Sequence, residues 1–345
     1  MQSTNTEYNV LEIQKYGGEI ELKKRTLKEN LADNECLIRV HVTTIHPADM
    51  FFLVGAYGNI QPKNFPLVPG FEGSGEIVKA GAKVDPSNIG KRVCLVANSI
   101  TEGDFHGLWG EYTYAPFESL MVFDDKIAYE NIAFSIVNPL TVCGFLATAR
   151  KAGVKAIIQT AAYGTVGKML IRLCAKEKDI KTINLVRKEE QVQPLKDIGA
   201  DYVINTSDKD WQKTLKRLAA ELDAKMCFEC IGGEMASQIL SAMPYGSTLF
   251  NYGNLLFKPL EGFNSADLIF LDKRVDGWWL GTWLMRITPE EKYKWFGYVV
   301  SELFSGSDLF KTATSKSFTL DKFNEAIEYY KNNMSEGKIL LLPKF

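Results

Sequence analysis

A glycine turn set between an apolar run and an amphipathic helix constrains this chain more than any other feature. Residues 156–187 read AIIQTAAYGTVGKMLIRLCAKEKDIKTINLVR: strand, turn, helix, strand, closing on a cation. The turn Ala162-Tyr163-Gly164-Thr165-Val166-Gly167 has the form A-x-G-x-x-G. Small residues there let a dinucleotide pyrophosphate approach the backbone and a helix N-terminus. Such turns also serve merely to pack a helix on a strand, so context decides. Val166, Leu170, Leu173 and Cys174 share one face of the helix, and a second strand follows, which makes the unit βαβ. A unit for NAD ends its second strand on a carboxylate that accepts from the ribose 2′-OH, whereas Lys181–Val186 is followed by Arg187-Lys188. A carboxylate repels a 2′-phosphate and a guanidinium pairs with one. The cofactor read from the residues is therefore NADP(H), with Gly164, Thr165, Val166 and Gly167 at the pyrophosphate and Arg187 and Lys188 at the 2′-phosphate. The alternative for Arg187 is an exposed cation at a strand end.

From Thr141 to Tyr252 helices and strands alternate: helix 141–151, strand 156–160, helix 166–178, strand 181–186, helix 189–197, strand 202–205, helix 208–222, strand 226–230, helix 234–243, strand 247–252. Alternation of that kind builds a doubly wound α/β domain on a parallel sheet. Val10 to about Pro139 is instead β-rich, with short runs such as CLIRVHVTTI and GSGEIVKAG broken by turn signals. After Gly253 comes an irregular aromatic section with Trp278, Trp279 and Trp283. A helix then opens on Thr288-Pro289-Glu290-Glu291, a capping box with proline at the first helical position. A further helix with Phe323, Ala326, Ile327 and Tyr330 on one stripe precedes a final strand, Lys338 to Leu342.

With 345 residues, 46% of them hydrophobic, the chain is expected to form two domains with sizeable cores. Lys and Arg number 40 and Asp and Glu 42, so the net charge of −2 supplies no broad basic field, and nucleic acid and acidic membrane surfaces are rejected as partners. No apolar run is read as approaching the roughly 20 residues that span a bilayer, so membrane insertion is not expected. MQSTNTEYNV has neither a signal core nor an Arg-rich presequence, which gives a cytoplasmic location by default; an organelle matrix after presequence removal fits the same residues. Six scattered cysteines suit a reducing compartment. Only Cys227 and Cys230 have metal-like spacing, and in the strand MCFEC they read as buried thiols.

The runs NECLIRVHVTTIHPADMFFLVGAYG, PLVPGFEGSGEIVKAGAKV and GKRVCLV, with IVNPLTVCGFLAT, DIGADYVINT, FECIGG and GKILLLP, resemble the medium-chain dehydrogenase/reductase superfamily over nearly the whole chain. The likeness is to its zinc-independent branch, the quinone oxidoreductases and 2-enoyl thioester reductases. It implies a GroES-like β-rich catalytic domain, residues 1–135 and 284–345, and a Rossmann-type NADP(H)-binding domain, residues 136–283, with the active site in the cleft. It also implies a homodimer joined at the edges of the nucleotide-binding sheets. Zinc-using relatives hold their metal with Cys, His and Cys; here His46, Phe71 and the region of Cys143 stand there, so no metal is expected.

Without a metal to polarise a carbonyl, hydride delivery suits an acceptor that is already electrophilic: a quinone or an activated alkene such as an α,β-unsaturated carbonyl. The expected substrate is small and apolar or conjugated. Tyr57 in GAYG matches the tyrosine that thioester reductases of this branch use as proton donor, and a phenol of ordinary pKa, about 10, carries its proton at neutral pH. Otherwise Tyr57 is a turn residue covering the domain edge. By resemblance His46 faces the cleft, where it bonds a substrate carbonyl or the ribose; a satisfied buried imidazole is the equal alternative. His41 reads as facing solvent from its strand. The resemblance places Thr141 near the nicotinamide, and backbone groups around Tyr252, Gly253 and Asn254, with Trp279, at its edge. Phe51, Phe52, Trp109, Trp278 and Trp279 either wall an apolar pocket or fill core. Reduction of enoyl thioesters is the rival activity, and it calls for a basic approach to the coenzyme's phosphates that the sequence does not display. An accessory nucleotide-binding subunit with little turnover is the remaining alternative, kept open by AYGTVG and His46.

Overall fold

The computed structural model describes residues 6–58, 62, 64–97, 105–123, 127–334 and 336–344. The first five residues, on which part of the leader reading rests, lie outside that set. Two units emerge, one made of Met1–Val137 with Thr312–Phe345 and the other of Asn138–Lys311.

The first unit opens on the antiparallel pair β1 (Glu7–Ile13) and β2 (Ile20–Thr26). There follow β3 (Glu35–Thr44), α1 (Pro47–Leu53), β4 (Glu72–Ala80), β5 (Arg92–Val96), β6 (Tyr112–Pro116), β7 (Met121–Phe123) and α2 (Tyr129–Ile132). β3 is its central strand, paired antiparallel with both β4 and β6. Its alternation, ECLIRVHVTT, buries Cys36 and Ile38 against Phe52, Ile77, Val93 and Leu95.

The second unit takes up the chain at α3 (Val137–Lys151), whose first residue still belongs to the first. Its parallel strands are β8 (Ala156–Gln159), β9 (Lys181–Val186), β10 (Tyr202–Asn205), β11 (Met226–Glu229), β12 (Thr248–Asn251) and β13 (Arg274–Gly277). Between them run α4 (Thr165–Glu177), α5 (Val192–Asp197), α6 (Trp211–Glu221), α7 (Glu234–Ala242) and α8 (Ser265–Phe270), and α9 (Leu280–Arg286) and α10 (Pro289–Phe304) end the unit. The sheet order is β10-β9-β8-β11-β12-β13, all parallel, so the winding direction reverses between β8 and β11. On one face Ile158, Ile183, Leu185, Cys227 and Leu249 cluster with Leu215 of α6 and Ile239 of α7. Phe228 of β11 stacks on Phe145 of α3, ring centroids 3.9 Å apart.

The chain then returns to the first unit as β14 (Thr314–Thr319), α11 (Phe323–Asn332) and β15 (Lys338–Leu342). β15 pairs with the end of β3, and Thr44 Oγ1 donates to the Ile339 carbonyl at 2.8 Å. The indole of Trp109, fully buried, packs on Phe323 and donates to the Thr44 carbonyl at 3.1 Å. This return is what closes the first core.

The doubly wound reading holds, with element ends shifted by one to four residues. The helix expected from Glu189 begins as a single 3₁₀ turn, Glu189–Gln191, before α5. The sixth strand, β13, was not anticipated: RVDG is exposed throughout and has no apolar alternation, so only backbone pairing with β12 defines it. Residues 284–311, read from the sequence as part of the β-rich domain, pack in the structure with the nucleotide-binding unit. Lys176 of α4 pairs with Glu302 of α10, and Tyr298 donates to Glu177 at 3.2 Å.

His41 is also a correction. It lies flat on Tyr129, centroids 4.0 Å apart, half-buried beside Glu76 rather than turned to solvent, because α2 covers that part of β3. One run, Tyr129–Lys151, does have the length and apolar character to cross a membrane, contrary to the sequence reading, but 83% of its most apolar stretch is buried inside the protein.

The capping box of α10 forms as read: Glu291 N donates to Thr288 Oγ1 at 3.2 Å, and Thr288 N to Glu291 Oε2 at 2.9 Å. Thr288→Ala removes the hydroxyl acceptor and is expected to cost about 1 kcal/mol. Thermal unfolding should show a midpoint lower by a few degrees, and an unchanged midpoint would mean that the cap is idle.

Candidate active site

The residues predicted to hold a dinucleotide gather along one edge of the six-stranded sheet. The glycine turn follows β8, Arg187 and Lys188 follow β9, Tyr252 to Asn254 follow β12 and Trp279 follows β13, all at carboxyl ends of parallel strands. That edge, at the point where the winding reverses, is where doubly wound sheets hold ligands.

The turn is built by close approach. A Cβ on Gly167 would lie 2.4–2.6 Å from the Ala162 backbone, so only glycine lets α4 settle this near the strand. Ala161 adopts a left-handed φ of 48°, and its carbonyl accepts from Gly164 N at 2.8 Å. Gly164 is the N-cap of α4 and supplies no side-chain acceptor, so the first-turn amides of Thr165, Val166 and Gly167 have no side-chain cap among the described residues. Uncapped amides and the positive end of a 13-residue helix suit an anion.

Behind the turn lies a polar frame that the sequence reading missed. Gln159, buried at the end of β8, donates from Nε2 to the Gly167 carbonyl at 3.1 Å and to Asn184 Oδ1 at 2.7 Å. Thr160 Oγ1 accepts from Cys230 N at 3.0 Å. Glu229, with no exposed surface, accepts from Ile231 N at 2.5 Å, Gly232 N at 3.1 Å and Asn251 Nδ2 at 2.9 Å, and burial pushes its carboxyl above the usual range. These hydrogen bonds shape the loops that carry the site. The signal was present, since AIIQT, MCFEC and TLFNY each end an apolar run on a polar group.

At the end of β9 the Arg187 guanidinium is exposed and makes no ion pair among the described residues, while Lys188 meets only exposed Glu190 at 3.4 Å. Tyr252 turns its phenol inward to the Cys230 thiol and its ring edge-on to Phe145, 4.8 Å away; burial raises its pKa. Gly253 contributes its carbonyl to Asn251 Nδ2 at 2.9 Å, and Asn254 Oδ1 accepts from Lys258 N at 3.1 Å. Trp279, 36% exposed, stands at the N-cap position of α9. Thr141 is buried on α3.

In the first unit, Tyr57 follows α1, half-buried, with its ring 4.7 Å from that of Phe71. Phe71, where zinc-using relatives would have histidine, packs against Phe52 and Phe105. His46 is buried at the N-cap of α1, its Nε2 4.0 Å from Glu72 Oε2. Asp49 accepts from His46 N at 2.6 Å and Phe71 N at 3.0 Å, and Glu72 Oε1 from Ile136 N at 2.9 Å and Val137 N at 2.7 Å. Burial drives the Asp49 carboxyl up to about 7 and the Lys338 ammonium down to about 8. This buried charge cluster was also missed, although PADM and PGFEG each place an acid in an apolar setting. Among the described residues no group of three or more His, Cys, Asp or Glu could hold a metal ion. Of the aromatic residues weighed as a pocket wall, Phe52 and Trp109 fill core, and Trp278 is buried against Phe145.

A β-rich unit interrupted by a doubly wound unit with a dinucleotide turn defines a dehydrogenase or reductase of the Rossmann class. The family model described as alcohol dehydrogenase GroES-like domain matches residues 32–125, and that described as zinc-binding dehydrogenase matches 165–295. The mitochondrial enoyl-[acyl-carrier-protein] reductase of Xenopus tropicalis is 30% identical over 260 residues, 73% of this chain and 71% of its own length. That of Caenorhabditis elegans is 28% identical over 294 residues, 83% and 81% of the two chains. The crystal structure of a putative NADPH:quinone reductase from Mesorhizobium loti superposes with a TM-score of 0.84 at 27% identity, covering 99% of this chain and 100% of that one. The chain belongs to the medium-chain dehydrogenase/reductase superfamily, in its zinc-independent branch of quinone oxidoreductases and 2-enoyl thioester reductases.

All six cysteines are free and buried, and burial raises each thiol pKa, to about 11 for Cys36 and Cys230. A disulfide reagent at pH 8 should therefore find no rapidly reacting thiol in the native protein and six after denaturation. Fast modification of Cys227 or Cys230 would contradict their placement.

Proposed function

We propose that this chain is an NADPH-dependent reductase that delivers hydride to a conjugated acceptor, a quinone or an activated alkene, with Tyr57 as proton donor. The observation that carries the cofactor choice is the Arg187 guanidinium at the end of β9, exposed and without an ion pair among the described residues, near the N-terminus of α4. A 2′-phosphate placed there would gain a charge-assisted pair, and the first two positions after β9 are the cations Arg187 and Lys188, where a carboxylate would suit a 2′-hydroxyl. Bound at this edge, the reduced nicotinamide would supply the hydride. The protein's part is to hold the phosphates and to shape the far end of the site with the loops after β12 and β13. Tyr57 would give its proton to the oxygen or carbon that gathers charge as the acceptor is reduced.

The quinone reading is supported by the Mesorhizobium loti relative, and the enoyl thioester reading equally by the Xenopus tropicalis and Caenorhabditis elegans relatives, both named as enoyl reductases. Those relatives are also named mitochondrial, which supports an organelle matrix as the location. A second copy of this chain joined along the edge strand β13 belongs to the same proposal. Val275 on β13 and Ile269 and Phe270 on neighbouring α8 are exposed, with Phe270 at 74%.

Steady-state NADPH oxidation with quinones and enoyl compounds tests the activity; tight cofactor binding without acceptor-dependent turnover would point to an accessory subunit instead. Arg187→Asp should weaken NADPH binding about tenfold or more while leaving NADH nearly unaffected, because one charge-assisted bond is worth about 1.5–3 kcal/mol. An unchanged ratio of the two affinities would remove Arg187 from the site. Tyr57→Phe should lower kcat on enones about tenfold or more and on quinones much less, since a quinol oxygen can take its proton from water. Small, equal losses on both would reduce Tyr57 to packing.

A further inference from the structure

Two cations and then two acids follow β9, in the order Arg187, Lys188, Glu189, Glu190. A carboxylate this near the strand end would repel a 2′-phosphate or take the Arg187 guanidinium for itself. Glu190 is drawn to Lys188 at 3.4 Å. Glu189 makes no ion pair among the described residues; its Oε2 accepts instead from Asn205 Nδ2 at 3.3 Å. Asn205 closes β10, is buried, and stands opposite Val186 in the parallel pairing, one residue before Arg187. An amide holds a carboxylate without bringing a charge of its own, so the positive charge after β9 is left as it stands.

The same stretch of chain fixes the backbone that carries the cation. Thr206 N and Oγ1 donate to the Val186 carbonyl at 2.7 and 3.0 Å, and Ser207 Oγ donates to the Arg187 carbonyl at 2.5 Å. Asn205 Oδ1 accepts from Ser207 N at 3.0 Å, and Gln191 Oε1 accepts from Arg187 N at 3.3 Å. Both backbone polar groups of Arg187 are therefore committed, while its side chain is exposed. We infer that Asn205 is a positioning residue for cofactor choice: it holds the Glu189 carboxylate at the end of β10 and so keeps it off the phosphate that Arg187 receives. This rests on the NADPH reading above and deepens it, because selection then depends on a neutral side chain from the next strand as well as on the cation. Without Asn205, Glu189 would pair with Arg187 or accept from a 2′-hydroxyl, and either change favours NADH.

The test is calorimetric Kd measurement for NADPH and NADH on the full chain, at about 0.15 M salt, where distant charges are screened. Asn205→Ala should weaken NADPH about fivefold or more and NADH less than about twofold, with an unaltered unfolding midpoint. Combining it with Glu189→Gln should return NADPH to within about twofold of the unaltered protein. Both Asn205 variants lose the Ser207 contact, so recovery can come only through Glu189. Equal weakening of the two nucleotides, or no recovery in the double variant, would overturn the proposal by reducing Asn205 to a loop contact. Glu189→Gln alone carries the test should Asn205→Ala not fold. An NADPH affinity within about twofold supports a carboxylate already held aside, whereas tightening of about fivefold or more would overturn it. All these outcomes leave the NADPH reading standing. An unaltered protein that prefers NADH or binds neither nucleotide would overturn that reading, and this inference with it.

Discussion

The structure of the nucleotide-binding unit depends on a single backbone contact, the approach of α4 to the Ala162 turn at Gly167. A side chain there would meet the Ala162 backbone at 2.4–2.6 Å, so the contact exists only because the position is glycine. It brings the N-terminus of α4 to the carboxyl edge of the sheet with its first amides uncapped. Those unsatisfied donors are a cost to the free protein and a binding surface for an anion. The buried frame of Gln159, Thr160, Glu229 and Asn251 keeps this geometry from relaxing. Each group ties one strand end to the loop that follows it or to the strand beside it, so the edge is held as one piece.

The first unit solves a different problem. Its β-strands close only when the C-terminal return arrives, with β15 beside β3 and Phe323 against Trp109. In that core, positions that serve a metal in related enzymes have been turned to packing and helix capping. Phe71 belongs to an aromatic cluster with Phe52, Tyr57 and Phe105, and Asp49 caps α1 while holding Phe71 N. Glu72 reaches across to the amides of Ile136 and Val137 at the start of α3. Two buried carboxylates, Asp49 and Glu72, and Lys338 remain, and burial moves each of them away from its charged form.

Much of this was legible in the residues. Buried parallel strands read as short apolar runs, which is why β9, β10 and β15 end where the sequence placed them. The capping box at Thr288 and the glycine turn are local chemistry, and local chemistry survives the absence of tertiary information. What escaped was set by partners distant in sequence. β13 has no apolar face and exists through pairing with β12; His41 is covered by Tyr129, 88 residues later. Gln159 and Glu229 reveal their roles only when their loops are in place.

The account turns on electrostatic selection at the end of β9. Calorimetric titration of the unaltered protein with NADP⁺ and NAD⁺ in parallel tests it most directly. The expected result is a Kd for NADP⁺ lower by about tenfold or more, narrowing as added salt screens the Arg187 contact. Binding of neither nucleotide, or a preference for NAD⁺, would contradict it.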